Sequence, residues 1–362
     1  MSKKLRRYAK TASMLYSKKG VKGLVRTSAR KVVLAALPTI YKHRSLQWMH
    51  HPKLETVFLE LTNNCNLRCK MCNWLGREKI GFISKSLFES CIDQLSEMEL
   101  KVLNLEFAGE SLLHPEFKGF LEYAIHKRDK GKIGGVGWTD NGMLFNRNIA
   151  DLVVKLKVDW INFSLDGLGE VNDNIRLGSK YSLIEQNIKY LLEKRGSAEK
   201  PTVLLNMVDH GKTEEQKLRF YSEWVDLVDG IELIPSILSD NTWENKDQIS
   251  QNARAVSPPA FCSIPFDTMI ISWDGKITGC CFDPNIKLAL GDATKESLEQ
   301  IWNGPKYRDL RKDVLSNSFP VGSPCRGCEF WKVNFEPRDE PILGGKARME
   351  YGGAIRKIRR AS

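Results

Sequence analysis

The sequence predicts an α/β protein, a partial TIM-like (β/α)6 barrel followed by a small cysteine-rich carboxyl-terminal domain. Two observations carry this. Six short β-rich runs, at 57–61, 102–107, 134–138, 160–165, 203–208 and 231–234, alternate with longer helical stretches at 87–98, 117–128, 149–156, 182–194 and 214–228. Strand-helix alternation implies parallel strands joined by right-handed crossovers. The nine cysteines of this 362-residue chain are clustered and odd in number, the pattern of metal binding in a reducing compartment and not of a secreted disulfide framework.

The segment 1–52 reads as a basic extension. Residues 1–54 hold 14 Lys and Arg and no acid, and residues 346–362 hold six against one Glu, so the +11 net charge leaves 55–345 at −8. An acidic body with basic ends is not the footprint of a nucleic-acid binder, which would place the charge on its folded face. No apolar run approaches the roughly 20 residues of a membrane span. No signal peptide is evident, which points to the cytoplasm, although an acid-free, Arg- and Ser-containing start is also a transit-peptide composition. Val21, Leu24, Val25, Val32 and Leu37 among Lys22, Arg26, Arg30 and Lys31 could make an amphipathic basic helix that meets an anionic membrane surface. A solvated extension is the plainer alternative.

The core spans 53–258. Directly after the first strand comes Cys65-Asn-Leu-Arg-Cys69-Lys-Met-Cys72, three thiols in eight residues. Three thiolates from one loop can hold three irons of a cubane and leave the fourth open to a cosubstrate. A structural zinc site would close with a fourth Cys or His at short spacing, and none follows. Cys91, in the first long helix, reads as a small buried hydrophobe. In βα barrels the chemistry sits on the loops after the strands, and the cysteine loop, Glu110, Asn141 and Ser164 all fall there.

From 236 to 259 the pattern becomes polar and irregular, ending in Ser257-Pro258-Pro259, which marks the boundary of a second domain at 259–336. It contains Cys262, a hairpin turning at Asp274-Gly275, Cys280-Cys281, and Pro324-Cys325-Arg-Gly-Cys328. Residues 337–362 form a basic tail.

The Cx3CxxC loop resembles the signature of the radical S-adenosylmethionine (SAM) enzymes, and the resemblance runs over roughly residues 53 to 336. Ala108-Gly109-Glu110-Ser-Leu-Leu-His-Pro115 is similar to their Gly-Glu-Pro-Leu-Leu-His-Pro segment, with Ala108 and Ser111 as departures. Thr139-Asp140-Asn141-Gly142 is similar to the Thr-Asn-Gly turn with one residue altered. Ser164-Leu-Asp166-Gly167, followed by Arg176, is similar to the fourth-strand segment. The resemblance implies a 4Fe-4S cluster on Cys65, Cys69 and Cys72 whose open iron binds SAM. It places Glu110 at the SAM amino group, with Gly109 and Asn141 in the same cofactor-binding set, and Ser164, Asp166 and Arg176 near its ribose and carboxylate. It implies reductive cleavage of SAM to a 5′-deoxyadenosyl radical that abstracts a substrate hydrogen, with a flavodoxin- or ferredoxin-type electron donor. The second domain resembles the SPASM or twitch module, whose auxiliary 4Fe-4S cluster would fall on Cys262, Cys280, Cys325 and Cys328. A four-cysteine zinc ribbon is the alternative for the same thiols. Cys281, beside a presumed ligand, is a candidate hydrogen-atom donor, an alternative ligand or a packed thiol.

One auxiliary cluster with four cysteines has no open iron and suits electron transfer. The expected reaction is therefore dehydrogenation or epimerisation of a sugar-like or other small molecule, on which Trp74 or Trp138 could stack, buried packing being the plainer role for most of the nine Trp. A peptide or protein maturase and a non-catalytic iron-sulfur protein are the alternatives.

Overall fold

Along each predicted strand, apolar residues at every second position need a covering layer of helices, and the structure supplies one. This computed structural model describes residues 52–72, 79–209, 214–235, 262–281, 283, 285–326, 338–342, 345–352 and 355–360. Six parallel strands form the centre of a sheet: β1 (Thr56–Leu59), β3 (Leu100–Asn104), β4 (Ile133–Asp140), β5 (Trp160–Ser164), β7 (Thr202–Asp209) and β8 (Gly230–Pro235), adjacent in that order. The short β2 (Arg68–Cys69) and β6 (Arg176–Leu177) pair with each other outside it. The crossovers are α1 (Lys85–Glu97), α2 (Phe117–Asp129), α3 (Arg147–Lys155), α5 (Tyr181–Arg195) and α6 (Glu214–Trp224), with a short α4 (Glu170–Ile175) after β5. This mixed α/β arrangement matches the expected partial barrel.

Sequence signals explain the helix starts. Ser84 caps α1 by accepting from the Leu87 amide at 3.2 Å, and Asn146 caps α3 by accepting from Ile149. The helices cover one face of the sheet. Val57, Leu59, Leu103, Val136, Trp138, Ile161, Phe163, Val203 and Leu205 are all buried there with the apolar faces of the helices. Phe88 of α1 stacks on Phe120 of α2 with ring centroids 4.1 Å apart, and Cys91 is fully buried beside them, as expected. Trp138 packs against Phe117 in this layer and so faces away from the barrel interior. It is a core residue with no surface to offer a ligand. Trp74 lies outside the described residues.

The second region begins with Cys262 and a single turn, α7 (Ile264–Asp267). Its hairpin, β9 (Thr268–Ile271) and β10 (Lys276–Thr278), turns at Asp274-Gly275, where Gly275 has φ +84°. β9 pairs in parallel with β1 over Thr56 to Leu59, so the hairpin continues the barrel sheet. The remaining elements are β11 (Gly291–Asp292), α8 (Leu298–Trp302) and α9 (Pro305–Ser316), and Ser297 and Gln300 close a capping box on α8. At the other edge, where the sequence signals only positive charge, β12 (Arg338–Ile342), β13 (Gly345–Gly352) and β14 (Ile355–Arg360) form an antiparallel meander whose last strand pairs with β8. Among the described residues no helix is long and apolar enough to cross a membrane. The basic extension lies almost wholly outside the described residues.

Candidate functional site

The loop after β1 is pinned before it reaches its first cysteine. Thr62 Oγ1 donates to the Gly81 carbonyl at 2.6 Å, and the Asn63 side chain donates to Lys79 O and accepts from Gly81 N. Cys65 is half-buried, Cys69 buried and Cys72 exposed. Cys69 lies on β2, directly opposite Arg176 on β6, and Lys70 N donates to Ile175 O at 2.9 Å. Burial pushes the Cys65 thiol up to about 11, and the charges of Glu110, Cys69 and Cys72 add to it. Burial also raises Cys69, while the Arg176 guanidinium opposes that rise. A cationic group beside buried thiols favours their thiolate form, which a metal cluster requires.

The glutamate loop docks on the cysteine loop. Glu110 N donates to Asn64 O at 2.7 Å. This approach needs Gly109, because a Cβ there would come within 2.1 Å of Thr62 O and 2.6 Å of Asn64 O. Glu110 is 2 % exposed, and its carboxylate accepts from the amides of Leu112 and Asn141 at 3.2 and 2.9 Å. Burial, reinforced by the charge of Asp140, holds its carboxyl well above the usual carboxylate range. Asp140 is itself buried, accepts from Trp138 Nε1 and Gly142 N, and is pushed up to about 6 by burial. Two buried carboxyls with no basic side chain paired to them among the described residues make a place that a ligand ammonium would stabilise.

Asn141 completes the junction. Its Nδ2 donates to Asn66 Oδ1 at 2.7 Å, and Asn66 stands between Cys65 and Cys69. From the fourth βα loop, buried Asp166 accepts from Val208 N at 2.8 Å and pairs with Arg176 Nε at 2.7 Å. Ser164, 8 % exposed, ends β5 opposite Asn206. Hydrogen bonds, strand pairing and an ion pair thus join the segments that carry Cys65, Cys69, Gly109, Glu110, Asn141, Asp166 and Arg176. Sequence reasoning missed Asn66, whose only signal was its place inside the cysteine motif.

In the second region Cys262 and Cys325 are half-buried and pack against the core, and Cys280 and Cys281 are half-buried. Asp283 accepts from Thr278 Oγ1, Lys287 N and Leu288 N, which fixes the turn after the paired cysteines. Cys328 lies outside the described residues. Among those described, no three Cys, His, Asp or Glu side chains converge on a single ion. A cubane takes one thiolate per iron, so its ligands need not meet at one point, and the spread of Cys65, Cys69 and Cys72 over one loop fits such a group.

The sheet face opposite the helices lines the barrel interior, and it carries polar side chains among apolar ones such as Phe58 and Leu204. Thr139 Oγ1 donates to Glu106 Oε1 at 2.8 Å, and Asn162 Nδ2 donates to Glu232 Oε2 at 3.1 Å. Thr139 and Asn162 are register partners, as are Asn206 and Glu232. The Trp160 indole lies across Gly137, where a Cβ would come within 2.5 Å of its Cε2. The signal for this set was available as polar residues at period two within β-rich runs, with Glu106 two positions after Asn104 and Ser164 two after Asn162.

A protein-family model, Radical SAM superfamily, matches residues 59–222, and a second, the SPASM iron-sulfur cluster-binding domain, matches 262–329. The chain belongs to the radical SAM superfamily and carries a carboxyl-terminal SPASM domain. Its cofactors are a 4Fe-4S cluster with SAM and SPASM auxiliary iron-sulfur, which favours iron over zinc in the second domain. This radical SAM enzyme is 24 % identical over 329 residues to the tungsten-containing aldehyde ferredoxin oxidoreductase cofactor-modifying protein of Pyrococcus furiosus, covering 77 % of this chain and 90 % of that one. It is 26 % identical over 312 residues to the antilisterial bacteriocin subtilosin biosynthesis protein AlbA of Bacillus subtilis, covering 76 % and 67 %. In fold it is similar to Streptococcus suis SuiB bound to S-adenosylmethionine, with TM-score 0.61 at 15 % identity over 90 % of this chain and 84 % of that one. It is also similar to BtrN in complex with AdoMet and 2-DOIA, with TM-score 0.53 at 17 % identity over 76 % and 92 %.

Proposed function

We propose that this radical SAM enzyme dehydrogenates or epimerises a sugar-like or other small polar molecule. Cys65, Cys69 and Cys72 would hold the cluster, which with SAM would supply radical hydrogen-abstraction chemistry. The observation that carries the first half of this reading is the junction of the glutamate and cysteine loops, Glu110 N to Asn64 O and Asn141 Nδ2 to Asn66 Oδ1. Glu110 would receive the SAM ammonium where its carboxyl and Asp140 have no basic partner among the described residues. Gly109 would allow the close approach, and the Asn141 amide would orient the carboxylate. Arg176, held by Asp166, and Ser164 would serve the ribose and carboxylate side.

Cys262, Cys280, Cys325 and Cys328 would hold one auxiliary cluster. With every iron capped by a thiolate, that cluster would carry electrons and not bind substrate. A flavodoxin- or ferredoxin-type protein would supply the reducing electron. Cys281 is the candidate hydrogen donor of an epimerase. Its replacement by Ala should stop inversion if it serves that role, and unchanged turnover would remove it.

The polar side chains of the interior support a small hydrophilic substrate, and BtrN, of which this chain covers 92 %, holds the small molecule 2-DOIA. A peptide substrate is the second reading, since SuiB has also been solved with the precursor peptide SuiA. Anaerobic reconstitution with reductant and SAM tests the enzyme reading. 5′-Deoxyadenosine should form, and none under any condition would overturn it. Product identification with candidate small molecules and candidate peptides decides between the two substrate readings.

A further inference from the structure

Arg311 is a cation folded into the core of the second domain. It stands on α9, is 2 % exposed, and its Nη2 is buried with no hydrogen-bond partner among the described residues. Its Nε donates to Pro265 O at 2.7 Å. The guanidinium lies over the Trp302 ring at 4.2 Å and over the Tyr307 ring at 4.8 Å. Burial, with a smaller push from Arg308, lowers its pKa to about 10, which leaves it protonated at neutral pH, and among the described residues no carboxylate acts on it.

A guanidinium so placed is costly. The two aromatic faces attract the cation, but they leave the Nη2 hydrogens unmet, and a buried charge is normally matched by one of opposite sign. The segments around Arg311 are those that carry the cysteines. Pro265 follows Cys262 by three residues. Tyr307 Oη donates to Thr278 O at 3.4 Å, and a Cβ on Gly279 would meet Leu310 at 3.0 Å and Tyr307 at 3.6 Å, so α9 lies directly against the residue before Cys280. Register sets Ile270 opposite Thr278, which brings the entrance to β9 and the exit from β10 to one end of the hairpin. Arg311 is held at that end, where the segments bearing Cys262 and Cys280 meet, and α9 leads on to Cys325, which packs on the same core.

We propose that Arg311 is the countercharge of the auxiliary cluster and sets its reduction potential. A cubane capped by four thiolates is negative in both redox states and gains one further negative charge when it takes up an electron. A fixed buried cation therefore stabilises the reduced form more than the oxidised one and raises the potential. This favours a cluster that receives an electron over one that gives it away. Dehydrogenation needs such an acceptor, because the substrate radical left after hydrogen abstraction becomes product by losing one electron to the oxidised cluster and one proton.

The inference rests on the auxiliary cluster assigned above to Cys262, Cys280, Cys325 and Cys328, and the two fail separately. The anaerobic holoprotein is titrated with dithionite and redox mediators and followed by electron paramagnetic resonance, with added SAM marking the signal of the first cluster. A native chain that shows no second cluster would defeat the assignment itself. Arg311→Met, neutral and of similar reach, should lower the auxiliary potential so that the reduced-to-oxidised ratio at a fixed potential falls tenfold or more, a shift of at least about 59 mV. Arg311→Lys should keep the native value, and the first cluster should be unmoved in both variants. If Arg311→Met takes up no auxiliary cluster while Arg311→Lys holds one at the native potential, charge is again the requirement and the proposal stands. An unchanged potential in Arg311→Met, an equal fall in both variants, or loss of the cluster from both would each overturn it.

Discussion

The backbone amide of Asn141 donates to Glu110 Oε2 across 2.9 Å, joining the loop after β4 to the loop after β3. The other carboxylate oxygen takes the Leu112 amide. A carboxamide cannot accept at both positions. Glu110→Gln should therefore cost roughly 1–3 kcal/mol in stability for the unpaired amide and weaken SAM binding tenfold or more through loss of the charge. Calorimetric titration of SAM into the anaerobic holoprotein measures the second effect. Because the carboxyl is held above the usual range by burial and by Asp140, SAM affinity in the native protein should fall as the pH falls and the group takes up a proton.

Gly109→Ala places a methyl against two backbone carbonyls that cannot move without shifting the cysteine loop. Overpacking of this kind costs about 1–3 kcal/mol. The expected result is loss of iron from the first cluster and of SAM cleavage, with auxiliary-cluster absorbance retained. Normal iron content at the first site would contradict the role assigned to this contact.

Cys325→Ala addresses the second domain. Two cubanes give about eight irons per chain, and removal of one auxiliary ligand should lower the count toward four, with the first cluster still able to bind SAM. Zinc and iron analysis of both proteins checks this, and one zinc with about four irons in the native chain would restore the zinc-ribbon alternative.

Stability at low pH should depend on Asp159. Its carboxylate accepts from Arg128 Nη1 at 2.9 Å and from Val136 N at 2.8 Å, and Lys200 also pairs with it. These partners outweigh burial and hold its pKa below the ordinary 3.8. The stability it contributes is present above the unfolded value and disappears as the pH falls below about 3.8 through the lower folded value. Asp159→Asn should cost about 2–3 kcal/mol near neutral pH, and the difference from the native protein should shrink in acid, as denaturant titrations at several pH values would show.

Strands and crossovers were legible because burial repeats at period two on strands and near 3.6 on helices. The 160–165 run became Trp160–Ser164, and the 117–128 stretch became Phe117–Asp129. Pairings between distant segments were not legible. Nothing in Thr268–Ile271 says that it lies beside Thr56–Leu59, and the opposition of Cys69 and Arg176 depends on two-residue strands below the length at which alternation can be seen. For the site, motif spacing located Glu110 and Asn141, while Asn66 and the polar contacts of Glu106 and Asn162 depend on positions that only the folded register brings together. Trp138 takes the plainer of its two readings, buried packing, because strand parity turns its ring into the helical layer although it stands beside a motif.

The parallel pairing of β9 with β1 has one more consequence. The strand that leads into the cysteine loop and the hairpin that leads into Cys280 are neighbours in one hydrogen-bonded ladder. With clusters on the cysteine loop and on Cys280, the spacing between the two redox stations would be ruled by the backbone register of this ladder.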